Sequence, residues 1–346
     1  MSRSGVFAAF FLGVSFVLSA PGAELKPQAM LKGHTEPVRA VACTAEGKNV
    51  VSVGYKEIFL WDLSDRDKSQ KFAGFQQLEY TWGTPRISAN GRLVAIGGTY
   101  YSANAYTTSV RLFRITDKVD PAGELGATTA DDYEHDTVTE IAFSPTTPRL
   151  AAVFRNTIKK KYNLGIYDAE SRQTNNDKVY QSDTPLKIAF TPDGKTLVAA
   201  DAEGTVILFG ANNARKRANY EAHKGGINDI AIDPESKILA TAGDDKTVKL
   251  WDLEKGELKK ELTGHEDAVL CLAFSRDGKY LASGGKDHNV KLWNAAGKDV
   301  ATIEAHLNDV TCVAFSPDSR TLVTGSADKE VRLWDVGEAL KAKGDK

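Results

Sequence analysis

Seven short apolar segments that each end in an aromatic residue, the near-constant spacing between them, and strand-like patterning with no helical periodicity predict an all-β fold. The class is a seven-bladed β-propeller of four-stranded antiparallel blades. The segments are IFLWD at 58–62, VRLFR at 110–114, LGIYD at 164–168, VILFG at 206–210, VKLWD at 248–252, VKLWN at 290–294 and VRLWD at 331–335. Their aromatics, Trp61, Phe113, Tyr167, Phe209, Trp251, Trp293 and Trp334, lie 52, 54, 42, 42, 42 and 41 residues apart. That period fits units of four strands.

Within a period, runs such as KYLASGG and RTLVTGS mix apolar or β-branched residues with small ones and are bounded by turn signals. Asn90-Gly91, Asp193-Gly194 and Asp277-Gly278 lie between two such runs. These dipeptides tolerate the positive φ angles of tight hairpins. Strands this short cannot bury both faces alone, so the blades must stack on one another around an axis.

The N-terminus is a different material. After Arg3 comes an uncharged run rich in Phe, Val and Leu, then the small residues Ala20-Pro21-Gly22. Residues 1–22 therefore read as a signal peptide, with a cut after Gly22 favoured over one after Ala23. The alternative is a retained membrane anchor, because the run is only slightly shorter than a bilayer span. The expected localisation is exported, periplasmic or secreted, with membrane attachment only if this segment is kept. Residues 28–337 form the single propeller, and 338–346 a charged tail, of which Leu340 to Lys346 is expected to fray.

Composition limits the partners. A 42% hydrophobic, 26% charged chain of 346 residues can bury a large core. With 44 basic and 46 acidic residues there is no positive field to gather nucleic acid. Cys43, Cys271 and Cys312 are too few for a disulfide framework, and each sits in an apolar stretch as a small hydrophobe. No CxxC pair exists and the six histidines are scattered, so no metal or other cofactor is expected.

The segment GHEDAVLCLAFSRDGKYLASGGKDHNVKLWN, Gly264 to Asn294, resembles a WD-repeat in nearly every position, and similar segments begin at His223 and His306. The resemblance covers roughly residues 28–337; it is strong in the last three repeats and weak in the second and third. It implies a propeller whose ring closes by sharing one blade between the chain ends. Ala29-Met30-Leu31 precedes Gly33-His34 as Lys260 to Leu262 precedes Gly264-His265, so the N-terminal strand is expected to complete the last blade.

His, Ser or Thr, and Asp recur in fixed relative positions: His223, Thr241, Asp245 and Trp251; His265, Ser283, Asp287 and Trp293; His306, Thr324, Asp328 and Trp334. A catalytic triad is usually built once, and repetition argues for structure. The resemblance implies tetrads in which Asp orients His, His bonds the hydroxyl and the hydroxyl accepts from the indole. The first repeat keeps His34, Ser52 and Trp61 but has Tyr55 at the Asp position; the fourth has Ala199, Glu203 and Phe209.

The second and third repeats carry about ten and twelve residues beyond the period. The second places most of its excess in Gly97 to Val110, between the middle strands; the third divides it between DDYEHD at 131–136 and the hairpin 156–163. The insertion reads as a loop; its Tyr100, Tyr101 and Tyr106, with Tyr80, Trp82 and Tyr133 nearby, form the candidate binding surface, since aromatics are enriched at interfaces. For Tyr80 and Trp82, packing onto a long loop is an equal alternative. Lys159, Lys160 and Lys161 read as a solvated hairpin tip.

The expected function is a non-catalytic scaffold for a protein partner. The competing reading is an exported propeller enzyme or lectin-like binder acting on a polymer or small ligand at the loop rim. Its acid and base groups would have to come from Asp131, Asp132, Glu134, His135 and Asp136, the densest titratable run in the insertions.

Overall fold

Each of the seven aromatic segments lies in the third strand of a four-stranded antiparallel sheet. The computed structural model describes residues 25–342 apart from 55–56, 66–69, 73–84, 89–91, 103–104, 116–118, 131–135, 157–158, 169–173 and 185. The signal segment 1–22, Tyr55, Tyr80, Trp82, Asn90-Gly91, Tyr133, the acidic run 131–135 and residues 343–346 thus lie outside the described residues.

Blade six shows the regular pattern, with strands Val269–Phe274, Tyr280–Gly285, Asn289–Asn294 and Asp299–Glu304 running from the axis outwards. At its first turn Gly278 has φ +69°, and Gly194 takes the same value in blade four. Ser236 and Ser319 hold the left-handed region at the corresponding turns of blades five and seven, at φ 60° and 59°.

The seven inner strands touch one another in sequence, and the last, Val310–Phe315, meets the first, Ala40–Cys43, so the ring is closed. Closure is made by Ala29–Lys32, which pairs antiparallel with Glu330–Asp335 through Ala29↔Leu333 and Leu31↔Val331. Ala29 and Leu31 are buried while Met30 and Lys32 face solvent, the alternation a half-buried outer strand requires.

The core is divided like the sequence. Buried residues fall into seven apolar clusters, one between each pair of neighbouring blades. In blade three, Leu150 packs towards blade two and Ala151 towards blade four, because successive side chains leave opposite faces of a strand. Each blade is thus buried on both faces, which a sheet of five- and six-residue strands could not manage alone.

Two features depart from the sequence reading. The second-blade insertion is not a loop: Leu93–Ser102 and Ala105–Ile115 stay paired through to Ser102↔Ala105, and the outer strand Val119–Ala130 follows as far as Tyr106↔Ala130. Its Thr and Tyr residues are favoured in strands, and this carries it as strand. Nor is the start of the C-terminal tail frayed. Val336–Ala342 is a short helix whose Val336 and Ala339 are buried against blade six and whose Leu340 packs beside them, an apolar stripe at helical spacing. Asp335 Oδ1 accepts from the Glu338 N–H at 2.9 Å and caps its first turn.

Candidate functional site

The three recurring sets come together as closed hydrogen-bonded chains. In blade five, His223 Nδ1 lies 3.0 Å from Asp245, its Nε2 lies 2.7 Å from Thr241 Oγ1, and the Trp251 indole N–H donates to that hydroxyl at 3.0 Å. In blade six the matching distances are 2.8 Å for His265–Asp287, 2.7 Å for His265–Ser283 and 2.8 Å for Trp293–Ser283. In blade seven they are 2.9 Å for His306–Asp328, 2.7 Å for His306–Thr324 and 3.0 Å for Trp334–Thr324. Each chain ties the connector before the inner strand to the second and third strands of one blade.

The chemistry available there is structural. Thr241, Ser283 and Thr324 are fully buried, so no substrate can reach the hydroxyls. Burial holds the His223 and His306 imidazoles below their ordinary value, against the pull of Asp245 and Asp328. Gly243 and Gly285 back directly onto the chains: a Cβ at Gly243 would lie 2.5 Å from His223 Nδ1, and one at Gly285 would lie 2.7 Å from Asp287 Oδ1. Nothing larger fits without displacing the histidine or its carboxylate.

Blade one keeps His34 Nε2 2.7 Å from Ser52 Oγ, with the Trp61 indole donating to the same oxygen at 2.7 Å. Its acid is Glu57, which the sequence reading missed. The Glu57 carboxylate lies 3.4 Å from His34 Nδ1 and accepts from the Thr35 N–H and hydroxyl at 2.9 and 3.0 Å. Blade four has no such chain; Phe209 is buried and meets the Tyr180 ring at a centroid distance of 5.5 Å. Glu203, at the Asp position, is exposed.

On the rim where the regular blades turn between their middle strands, blade two continues as a three-stranded sheet. Thr99↔Thr108, Tyr100↔Thr107 and Tyr101↔Tyr106 pair across its hairpin. Blade three rises beside it, through Arg155↔Tyr162 and Asn156↔Lys161. Lys159 and Lys160 are exposed at that hairpin, and Lys161 pairs with Asp183. Tyr100, Tyr101 and Tyr106 are thereby brought onto one projecting sheet.

A second group also escaped the sequence reading. Glu140, Lys187 and Asp229 occupy on the inner strands of blades three to five the register held by Cys271 and Cys312 in blades six and seven. The signal was present in EIAF, KIAF and DIAI against CLAF and CVAF, but a charged residue in an alternating strand reads as solvent-facing. Glu140 is instead buried, bridging Arg86 at 2.5 Å and Lys187 at 3.0 Å. The three cysteines are buried, and burial pushes the Cys43 and Cys312 thiols up to about 12, far from a reactive thiolate. Among the described residues no group of three or more His, Cys, Asp and Glu side chains is placed to hold a metal ion.

The family model described as WD domain, G-beta repeat matches residues 25–62, 215–252, 256–294 and 297–335. The chain carries WD repeats on a seven-bladed propeller. Its four matched segments fall on blades one, five, six and seven, the blades that carry a His–hydroxyl–Trp chain. No curated protein matches the chain. WD-repeat propellers generally serve as protein-interaction scaffolds.

Proposed function

We propose that this propeller is a non-catalytic scaffold that holds a protein partner in an exported compartment, and that it recognises the partner with the rim raised by blades two and three. The observation that carries the reading is the three-stranded extension of blade two. A hairpin that only has to reverse the chain does so with Lys286 to Asn289 in blade six. Blade two has eleven positions in place of those four, Thr99 to Ser109, and they hold three tyrosines among Ser, Thr, Ala and Asn, the composition of an adaptable binding surface. Export rests on the apolar run and the small residues of 1–22.

The test is to replace Thr99 to Ser109 with the Lys286 to Asn289 turn and to compare affinity capture from the native exported fraction. The variant is expected to fold, since surface insertions contribute little to closure, and to lose partners that the parent chain retains. Undiminished capture by the folded variant would place recognition on the regular blades. N-terminal mass measurement on the native protein tests export independently; a start near Ala23 or Glu24 is expected, and intact Met1 to Gly22 on a membrane would overturn it.

A further inference from the structure

The inner strands enclose an axial channel, and its wall is not uniform. From blades five to seven towards blade one the equivalent positions run Asp229, Cys271, Cys312 and Ala40, whereas blades three and four present Glu140 and Lys187. Arg86 joins them from the inner strand of blade two. Its guanidinium pairs with Glu140 of blade three and acts electrostatically on Asp229 of blade five and Cys312 of blade seven. A side chain felt by blades on three sides lies towards the axis.

The geometry around Glu140 is that of a holder for two cations. The carboxylate is 1% exposed and gives one oxygen to Arg86 and the other to Lys187, which are 28% and 31% exposed. Each cation head is held by the buried carboxylate and remains partly exposed. The Arg86 guanidinium uses two of its N–H bonds, on Glu140 and on the Pro85 carbonyl, and Lys187 uses one, so N–H donors remain without an acceptor among the described residues. One ionised carboxylate also offsets only one of the two charges. Among the described residues Asp229 is the other acid that feels both cations, and burial pushes its carboxyl up despite their pull and the bond it accepts from the Leu272 N–H.

We propose that the axial channel binds a small inorganic oxyanion of the phosphate or sulfate class between Arg86 and Lys187, with Glu140 as the positioning residue that sets the two donors side by side. A tetrahedral oxyanion presents several acceptors to such a pair, and charge-assisted bonds of this kind are the strong ones. The site lies within the ring and is separate from the rim extension, so it stands or falls independently of the partner-binding reading.

The experiment is isothermal titration of the purified protein with sodium phosphate at constant ionic strength, with sodium chloride as the blank. Saturable binding is expected, weakened about tenfold or more in R86Q and in K187Q, because each removes charge-assisted donors. Lys237→Gln, at an exposed lysine paired with Glu235, should bind as the parent does. Near-UV circular dichroism reports whether each variant is folded. Should R86Q or K187Q fail to fold, R86K and K187R keep a cation on Glu140 and must still shift the affinity. Absence of saturable binding in the parent, or equal affinity in every folded variant, overturns the proposal.

Discussion

The Trp293 indole N–H donates to Ser283 Oγ at 2.8 Å, at a point where both side chains are shut off from water. That oxygen also meets His265 Nε2 at 2.7 Å, so one hydroxyl joins the third strand of the blade to the connector that precedes it. Trp293→Phe removes the donor and leaves the Ser283 hydroxyl short of one partner. A loss of about 1–3 kcal/mol is expected from the lost bond and poorer packing, read by urea denaturation. Ser283→Ala in the same background should cost less than it does alone, since the two act in one chain. Additive losses would show that the bond contributes nothing.

Acid should destabilise the ring in two stages. Burial depresses the His223 and His306 imidazoles below their ordinary value of 6.5. An unfolded chain takes up these protons where the folded blades resist them, so the associated stability is complete above 6.5 and is lost as the pH falls through the lower folded values. At Asp245 burial acts upwards, but the hydrogen bonds from His223 and Thr247 outweigh it and hold the carboxyl at about 2. Its contribution is present above the ordinary 3.8 and is lost between there and about 2. Stability measured across a pH series should therefore begin to fall below neutrality, and His306→Gln should flatten that first stage. A profile level through the imidazole range would contradict it.

Legibility in the sequence followed repetition. The blade number and the three full tetrads stand at fixed spacings that the chain repeats, so a single-sequence reading finds them. Glu57 was hidden because the first repeat slides its acid past the turn, beyond the position where Tyr55 stands. Glu140 and Lys187 were hidden for the opposite reason: they sit in register, but only the ring brings Arg86 across to them. The short C-terminal helix rests on the apolar surface of blade six, and its stripe of Val336, Ala339 and Leu340 is too short a pattern to stand out among the charges of the tail.

Gly97 locates the seam between the altered blades. A Cβ there would lie 2.2 Å from Val138 Cβ on the inner strand of blade three, and Val138 is β-branched and buried, so it has no room to yield. Gly97→Ala should cost about 1–3 kcal/mol by overpacking, seen as a lower unfolding midpoint. The same substitution at Gly225, where nothing lies within 4 Å, should be near neutral. Equal effects at the two positions would mean that blades two and three do not pack this closely.

Among the described residues Glu140 is the only ion-pair partner the two cations share. Glu140→Gln leaves Arg86 and Lys187 facing each other with no charge between them, and both are partly exposed, so water will recover part of the loss. A destabilisation of about 1.5–3 kcal/mol is expected, the range for hydrogen bonds to charged groups, and it should shrink as salt is raised. A stability equal to the parent's at low salt would remove Glu140 from its structural role.

The last prediction concerns the projecting sheet. Register sets Tyr101 opposite Tyr106 and Tyr100 opposite Thr107, and successive residues of a strand belong to opposite faces. Tyr101 and Tyr106 therefore share one face as a directly opposed pair, and Tyr100 belongs to the other. A partner seated on one face meets both members of the pair together. Tyr101→Ala and Tyr106→Ala should each weaken partner capture, with anchors of this type costing about 2 kcal/mol. The double variant should depart from additivity by roughly 0.5 kcal/mol or more, because contacting residues couple. Tyr100→Ala should combine additively with either, as it acts from the opposite face. Full affinity in the folded triple variant would make the extension an ornament of blade two and not its recognition surface.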